Sequence, residues 1–205
     1  MISIKGSRRS HRLVIALEGI DGAGKTTLTN AIKRQFGDNV GILPRTKKGK
    51  GCEALINSKL VYNNHCLQIP IYLFLSYVNY FKNLRSIETP ITIMDRCFLS
   101  NICYYYPVAM KNRMFLWLAL LFEIKIFPDQ IFIIDEEPST AHQRDGYQKE
   151  LDWLISTRNN YLQSAESELL KKYNITIVPK ELSVESKASI IIEAIISQWR
   201  RKNDS

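Results

Sequence analysis

An unbroken apolar run followed by a glycine-rich string constrains this chain more than any other feature. Residues 13–17 are all apolar, which is typical of a strand buried on both faces of a sheet. The pattern G-x-x-x-x-G-K-[ST] is then matched in full by Gly19-Ile20-Asp21-Gly22-Ala23-Gly24-Lys25-Thr26. Apolar residues at helical spacing continue to Phe36, and Gly37 follows as a C-cap. A strand, a glycine loop and a helix in this order predict a loop that binds nucleotide phosphates, the P-loop.

Each part of this loop suits phosphate chemistry. Its glycines let backbone N–H groups approach phosphate oxygens, and the next helix adds unsatisfied N–H groups and the positive end of its dipole. Lys25 can reach the β- and γ-phosphates, and the Thr26 hydroxyl can ligate Mg²⁺. We therefore expect ATP and Mg²⁺ as cofactors, with the nucleotide bound by Gly19, Asp21, Gly22, Ala23, Gly24, Lys25, Thr26 and Thr27.

The rest of the chain alternates between strand and helix patterns. Further strands are predicted at residues 40–43, 91–94, 131–134 and 175–178. Helices are predicted at residues 67–84, 101–106, 108–126, 151–172 and 184–200, with a break at Pro107 and a short helix after Pro138. The alternation predicts one α/β domain over residues 1–205, with a P-loop NTPase fold. We expect a five-stranded parallel sheet, helices on both faces and a short lid at about residues 144–150.

Composition and charge limit the function classes. The chain is 45% hydrophobic and 23% charged, as in an ordinary globular protein, and no apolar run is long enough to span a bilayer. A net charge of +8 attracts phosphates, but no nucleic-acid-reading motif accompanies it, so the expected partner is a small-molecule nucleotide. The four cysteines form no C-x-x-C pair, and no signal-peptide pattern precedes the first strand. Both observations favour a cytoplasmic protein with reduced thiols.

The P-loop indicates nucleotide binding and leaves the reaction open. The N-K-x-D motif with which GTPases read the base is absent, and the chain is short for a motor or a helicase. Kinase chemistry remains, and Asp95-Arg96 supports it, because strand carboxyl ends face the ligand crevice in such sheets. Arg96 can bridge donor and acceptor phosphates, while Asp95 can hold a Mg²⁺-bound water or orient Arg96.

Two strings resemble the thymidylate kinase family. The string EGIDGAGKTT, residues 18–27, resembles the family's amino-terminal signature. A second string is similar to the family's D-R-Y-x-x-S-x-x-A-Y segment: Asp95-Arg96-Cys97-Phe98-Leu99-Ser100-Asn101-Ile102-Cys103-Tyr104. The resemblance implies that Asp21 contacts the 3′-hydroxyl of the acceptor sugar. It also implies that Ser100 and Asn101 lie near the acceptor base and that Tyr104 lies against the sugar.

Looser matches extend the resemblance along the chain. Phe74 falls where the family stacks a phenylalanine on the acceptor base, and Arg45 where it places an arginine on the acceptor phosphate. Residues 128–135 are similar to the family's P-D-x-x-x-x-L-D strand, and Arg144 lies where the lid arginines begin. Because the P-loop carries no arginine of its own, Arg144 is the candidate for stabilising charge on the transferring group.

The resemblance implies ATP- and Mg²⁺-dependent phosphoryl transfer to a nucleoside monophosphate, with dTMP converted to dTDP, in a homodimer. The expected catalytic residues are Lys25, Asp95, Arg96 and Arg144, and Thr26 and Asp95 would bind the metal. The chain departs from the family at Val78 and Asn79, where an arginine near the base is usual, at residues 46–49 and at Cys97. A kinase for another small acceptor, such as a nucleoside, and a non-catalytic nucleotide-binding regulator are therefore alternatives.

Overall fold

The computed structural model describes residues 12–43, 83, 87–111, 128–168, 170–171 and 173–203 of the 205-residue chain. Their strands are β1 (Leu13–Glu18), β2 (Val40–Leu43), β3 (Ile91–Asp95), β4 (Gln130–Ile134) and β5 (Ile175–Val178). Their helices are α1 (Lys25–Phe36), α2 (Phe98–Lys111), α3 (Pro138–Arg144), α4 (Leu151–Glu166) and α5 (Val184–Asn203), and a 3₁₀ turn covers Gly37–Asn39. All five predicted strands are confirmed to within one residue at each end.

The strands form one parallel sheet in the order β2-β3-β1-β4-β5. The central strand β1 is buried almost throughout, as are its neighbours β3 and β4, whereas the edge strands are only partly buried. This burial explains why the three inner strands are apolar apart from Thr92 and the polar residues at their ends. Because β1 lies between β3 and β4 and all three are parallel, the segments that follow these strands lie side by side at the carboxyl edge of the sheet.

Two pairs of the described helices pack together beside the sheet. Helix α1 packs against α5, and α2 packs against α4, which also contacts the short α3. Gly37 ends α1 with a φ of 60°, as the C-cap prediction requires, and Pro138 occupies the first turn of α3. The predicted α/β architecture of a five-stranded parallel sheet with helices is confirmed. Within the described ranges, no helix is long and apolar enough to cross a membrane.

Pro107 does not break its helix, so the predicted separation of residues 101–106 from the following helix is wrong. Helix α2 begins earlier, at Phe98, and continues through Pro107 to Lys111. A proline inside a helix has no N–H to donate to the carbonyl four residues before it. In α2 the carbonyl left without this donor is that of Cys103. The side-chain amide of Asn160 on α4 donates to that oxygen at 2.9 Å. A tertiary hydrogen bond thus replaces the missing helical one.

The helix after residue 150 also differs from its prediction. Helix α4 ends at Glu166, six residues before the predicted end at Lys172, and a tight turn with Ser167 and Leu170 follows. Polar and charged residues continue the helical pattern there, but Leu170 turns into the core. The helix predicted at residues 67–84, except residue 83, and most of residues 108–126 lie outside the described residues.

Candidate active site

The P-loop leaves the end of β1 and leads directly into α1. Gly24 precedes the helix with a φ of 83°, the left-handed conformation that favours glycine. Gly22 has a φ of 81°, and a Cβ atom there would lie 2.1 Å from the carbonyl oxygen of Ala141 on α3. The loop therefore has no room for a side chain at residue 22. Helix α3 closes this side of the loop and ends three residues after Ala141, at Arg144.

Lys25 begins α1 and turns its side chain back over the loop. Its Nζ donates to the carbonyl oxygens of Gly19 at 3.0 Å and Ile20 at 2.7 Å, and the residue is only 8% exposed. Burial, together with the positive charge of Arg96, lowers the pKa of Lys25 to about 7. Nucleotide phosphates bound beside this ammonium group would supply negative charge and stabilise its protonated form.

Arg96 is the second buried cation of this edge, and it follows β3. Its Nη1 donates to the carbonyl oxygen of Gly19 at 2.9 Å, to the Tyr161 hydroxyl at 3.1 Å and to the Ser100 hydroxyl at 3.3 Å. Its Nη2 forms a short ion pair with Asp21 of the P-loop. The residue is 3% exposed, and its backbone has a φ of 76°. The sequence predicted that Asp21 and Arg96 share a site, and the fold brings them into contact.

A buried carboxylate, Glu18, lies behind Arg96 at the last position of β1. Its Oε1 accepts the backbone N–H groups of Cys97 at 2.6 Å and Ser100 at 3.2 Å. Its Oε2 accepts the hydroxyl protons of Ser100 at 2.6 Å and Tyr161 at 2.9 Å. Glu18 thereby holds the amino-terminal end of α2, where negative charge is favourable. Glu18 and Tyr161 were not among the predicted site residues.

Tyr104 and Asn101 follow on α2. The Tyr104 ring lies beneath the guanidinium of Arg96, with 4.9 Å from Cζ to the ring centroid, and meets the rings of Trp153 and Tyr161 edge-on. Asn101 is partly buried beside them. Contacts of Asn101 and Ser100 with an acceptor base, and of Tyr104 with its sugar, stay predictions. The Ser100 hydroxyl is already engaged in the network around Arg96.

A third set of charges follows β4 and carries the predicted lid arginine. Arg144, which ends α3 and is 52% exposed, donates to Glu136 at 2.8 Å. Arg158 of α4 forms two hydrogen bonds with Asp135, at 2.6 and 2.8 Å. Lys187 lies 3.6 Å from Glu136. Arg144 thus lies on the helix whose Ala141 packs against Gly22 of the P-loop, but its guanidinium pairs with a carboxylate of its own segment.

The remaining predicted residues divide into two groups. Thr26 and Thr27 are exposed on the first turn of α1, and Asp95 is partly buried at the end of β3. A Thr hydroxyl and a single carboxylate are oxygen donors that suit Mg²⁺, which usually takes its other ligands from phosphates and water. Within the described ranges there is no group of three His, Cys, Asp or Glu residues that could hold a metal ion by itself. Arg45 and Phe74 lie outside the described residues, so their predicted contacts are untested.

Glu18 and Tyr161, the two site residues that were not predicted, differ in how clearly the sequence indicates them. Glu18 is a charged residue at the end of an otherwise apolar strand, and that position alone could have indicated a buried carboxylate. Tyr161 lies in the middle of an amphipathic helix, 65 positions from Arg96, where a tyrosine is ordinarily a packing residue. Only the packing of α4 against α2 brings its hydroxyl to Arg96.

A P-loop at the end of the central strand, with two buried cations sharing the carbonyl of Gly19, places this chain in the P-loop class of nucleotide-binding folds. The family model described as "Thymidylate kinase" matches residues 17–191. The chain therefore belongs to the thymidylate kinase family, as the sequence predicted. Membership makes it an enzyme of nucleotide phosphoryl transfer, and the regulator alternative is set aside.

Individual relatives agree with this assignment. A probable thymidylate kinase of Saccharolobus solfataricus is 24% identical over 174 residues, which cover 80% of this chain and 87% of that protein. A thymidylate kinase of Wolbachia pipientis is 34% identical over 134 residues, which cover 60% of this chain and 67% of that protein. Among solved structures, deoxyadenosine kinase from M. mycoides with bound dATP has a TM-score of 0.65 at 16% identity, covering 90% of this chain and 99% of that one. The last comparison supports the fold.

Proposed function

We propose that this enzyme transfers the γ-phosphoryl group of ATP, with Mg²⁺, to a nucleoside monophosphate, and that dTMP is the acceptor. The observation that carries the proposal is the convergence of Lys25, Arg96 and Asp21 around the carbonyl of Gly19. Two cations directed at one backbone oxygen form a positive site that phosphate oxygens can occupy. A carboxylate beside them suits the hydroxyl of an acceptor sugar.

The transfer itself asks for positioning and charge rather than covalent catalysis. A phosphate oxygen of the acceptor attacks the γ-phosphorus, the bond from that phosphorus to the bridging oxygen breaks, and ADP leaves. The attacking oxygen is already anionic, so no general base is needed. Lys25 and Arg96 would offset charge on the transferring group, while Thr26 and Asp95 would hold Mg²⁺, which neutralises phosphate charge when bound.

The carboxylates of the site favour an acceptor that needs no base. Glu18 is fully buried and its two oxygens accept four hydrogen bonds, and Asp21 is ion-paired with Arg96. A nucleoside hydroxyl would have to lose a proton during attack, whereas a monophosphate would not. Arg144 would complete the charge stabilisation once it left Glu136. A cytoplasmic location and a homodimeric assembly belong to the same proposal.

The test is a coupled ADP-release assay with ATP and Mg²⁺ against nucleoside monophosphates and the corresponding nucleosides. We expect the highest kcat/KM with dTMP and little turnover with thymidine. Turnover confined to nucleosides would refute the monophosphate proposal, and bound ATP with no turnover on any acceptor would refute the reaction.

A matched pair of lysine variants shows whether the turnover comes from this site. Lys25→Ala should lower kcat by about 10³-fold or more, because it removes a charge aimed at the transferring group. Lys33→Ala removes an exposed lysine from the other end of the same helix and should leave kcat unchanged. Equal activity of the two variants would contradict the site assignment.

A nucleoside acceptor is the second candidate, since Val78 and Asn79 replace the arginine that the family carries near the base. An acceptor without a phosphate gives Arg45 no ligand. Arg45→Ala would then leave the acceptor KM nearly unchanged, whereas a monophosphate acceptor predicts a large rise in KM.

A further inference from the structure

The orientation of Arg96 depends on hydrogen bonds whose direction the chemistry of the partners determines. A guanidinium only donates hydrogen bonds, and a carboxylate only accepts them. Between Arg96 and Glu18 lie two hydroxyls, those of Ser100 and Tyr161, and each of them contacts both charged groups. The two hydroxyls also lie 3.0 Å from each other, but the charged carboxylate is the stronger acceptor for each proton. With both protons on Glu18, the hydroxyl oxygens receive Nη1 of Arg96. The two hydroxyls therefore link the carboxylate to the guanidinium in one direction.

The environment keeps this arrangement in place. Tyr161 is 1% exposed, and burial, together with the negative charge of Glu18, raises the pKa of its phenol well above the ordinary value. Its proton therefore stays available to Glu18 across the physiological range. Glu18 itself is tied to the backbone N–H groups of Cys97 and Ser100, so the acceptor end of the network is fixed to α2.

The backbone of Arg96 needs such support. Its φ of 76° lies in the left-handed region, which costs a residue with a side chain about 1 kcal/mol or more. In that conformation the Arg96 N–H continues the ladder to Leu17 at 3.2 Å, while the side chain points back over the P-loop. The side-chain hydrogen bonds of Arg96 hold its backbone in this strained conformation and keep the guanidinium on the phosphate-binding loop.

We propose that Glu18 and Tyr161 are positioning residues: through the Tyr161 and Ser100 hydroxyls they hold the guanidinium of Arg96 against the P-loop, at the place where the transferring phosphoryl group is bound. This inference rests on the proposed function for the identity of the ligand. The helix that carries Tyr161 follows the lid directly, so the position of Arg96 also depends on how α4 packs on α2.

The decisive variant is Tyr161→Phe, which keeps the buried ring and removes only the hydroxyl. We expect kcat to fall about 10- to 100-fold, because a misplaced donor loses transition-state stabilisation. The Kd for ATP and the melting temperature should change little. Tyr173→Phe removes the same group from another tyrosine packed against α2, with its ring 5.2 Å from that of Phe98, and should leave kcat unchanged.

A double-mutant cycle separates positioning from a general structural role. In an Arg96→Ala background, Tyr161→Phe should lower the residual kcat by less than about twofold, because the group through which it acts is gone. A structural role would lower kcat by the same factor in both backgrounds, and that additivity would overturn the inference. Glu18→Gln is expected to act like Tyr161→Phe, since an amide N–H₂ facing the hydroxyls turns their protons toward Arg96.

A measurement that needs no acceptor keeps the inference testable if the proposed function fails. In ¹⁵N NMR of the arginine side chains, Arg96 should give slowly exchanging Nη–H signals, assigned by their loss in Arg96→Lys. Tyr161→Phe should shift these signals and speed their exchange about tenfold or more. Unchanged signals would overturn the inference even in an active enzyme, whereas shifted signals in an enzyme inactive on every acceptor would refute only the proposed function.

Discussion

The two arginines that we propose to act in catalysis lie in opposite kinds of environment. Arg96 follows β3, is 3% exposed and is bound by Asp21, Tyr161, Ser100 and the P-loop backbone. Arg144 ends α3, is 52% exposed, and pairs with Glu136. One arginine is built into the core of the site, and the other is held at its rim.

This difference teaches which part of the site is pre-organised. A buried charge whose partners are buried or partly buried cannot leave them without a large desolvation cost, so we expect Arg96 to be in place before any nucleotide arrives. An exposed ion pair contributes about 0–1 kcal/mol, and nucleotide phosphates can replace it. We expect Arg144 to exchange Glu136 for phosphate when the nucleotide binds, and Arg96 to stay where it is.

Replacing each of the two arginines by alanine tests this difference most directly. Arg96→Ala should lower kcat about 10³-fold and also lower the melting temperature, because Glu18 and Asp21 lose a buried counter-charge. Arg144→Ala should lower kcat while its unfolding free energy stays within about 1 kcal/mol of wild type. Kinetics and urea unfolding of both variants provide the measurement. An Arg96→Ala enzyme of wild-type stability would contradict the account.

Removing a carboxylate from the buried network around Arg96 and another from the surface ion pairs after β4 tests the same difference by protein stability alone. Glu18→Ala leaves two N–H groups and two hydroxyls without their acceptor, and we expect a loss of about 3 kcal/mol in unfolding free energy. Glu137, whose carboxylate forms an exposed ion pair with Lys180 at 2.6 Å, is the matched control. Glu137→Ala should leave the urea midpoint unchanged. Similar midpoints for the two variants would mean that the buried network contributes no more than the surface pair.

The pKa of Lys25 predicts how ATP binding depends on pH. Because burial and Arg96 lower this pKa to about 7, Lys25 is mostly neutral at pH 8 in the free enzyme, whereas phosphates bind its charged form. ATP binding at pH 8 should therefore take up close to one proton, and affinity should fall up to about tenfold per pH unit above pH 7. Calorimetry in buffers of different ionisation enthalpy measures the uptake. Lys25→Met should abolish it, and wild-type binding without uptake would contradict the prediction.

The smallest expected effect concerns the support of α2 at Pro107. Asn160→Ala leaves the Cys103 carbonyl without its side-chain donor and should cost about 1–2 kcal/mol in unfolding free energy. Asn159→Ala changes the adjacent, exposed asparagine and should cost nothing measurable. Adding Pro107→Ala to Asn160→Ala should restore stability, because residue 107 regains an N–H for that carbonyl. No recovery would mean that the Asn160 bond does not compensate for the proline.

Sequence reasoning was strong where a feature is local. The strand before the P-loop, the C-cap at Gly37 and the short helix at Pro138 each depend on a few neighbouring residues, and each is confirmed. It was wrong at Pro107, because a local rule predicts a break there, whereas the helix continues and a side chain 53 positions away donates to the carbonyl that the proline leaves without a donor. The role of Tyr161 was not predicted because its contact with Arg96 also joins distant parts of the chain.

The sequence by itself determined the order of strands and helices, the phosphate-binding loop and the family, because these depend on spacing and residue type along the chain. Only the tertiary structure decided which groups orient Arg96 and how α2 continues past Pro107. Hydrogen bonds between distant segments leave no periodicity in a sequence, since any buried hydroxyl or amide on a packed helix satisfies the same pattern. Their partners are defined only when α4 packs against α2 and β1 lies beside β3.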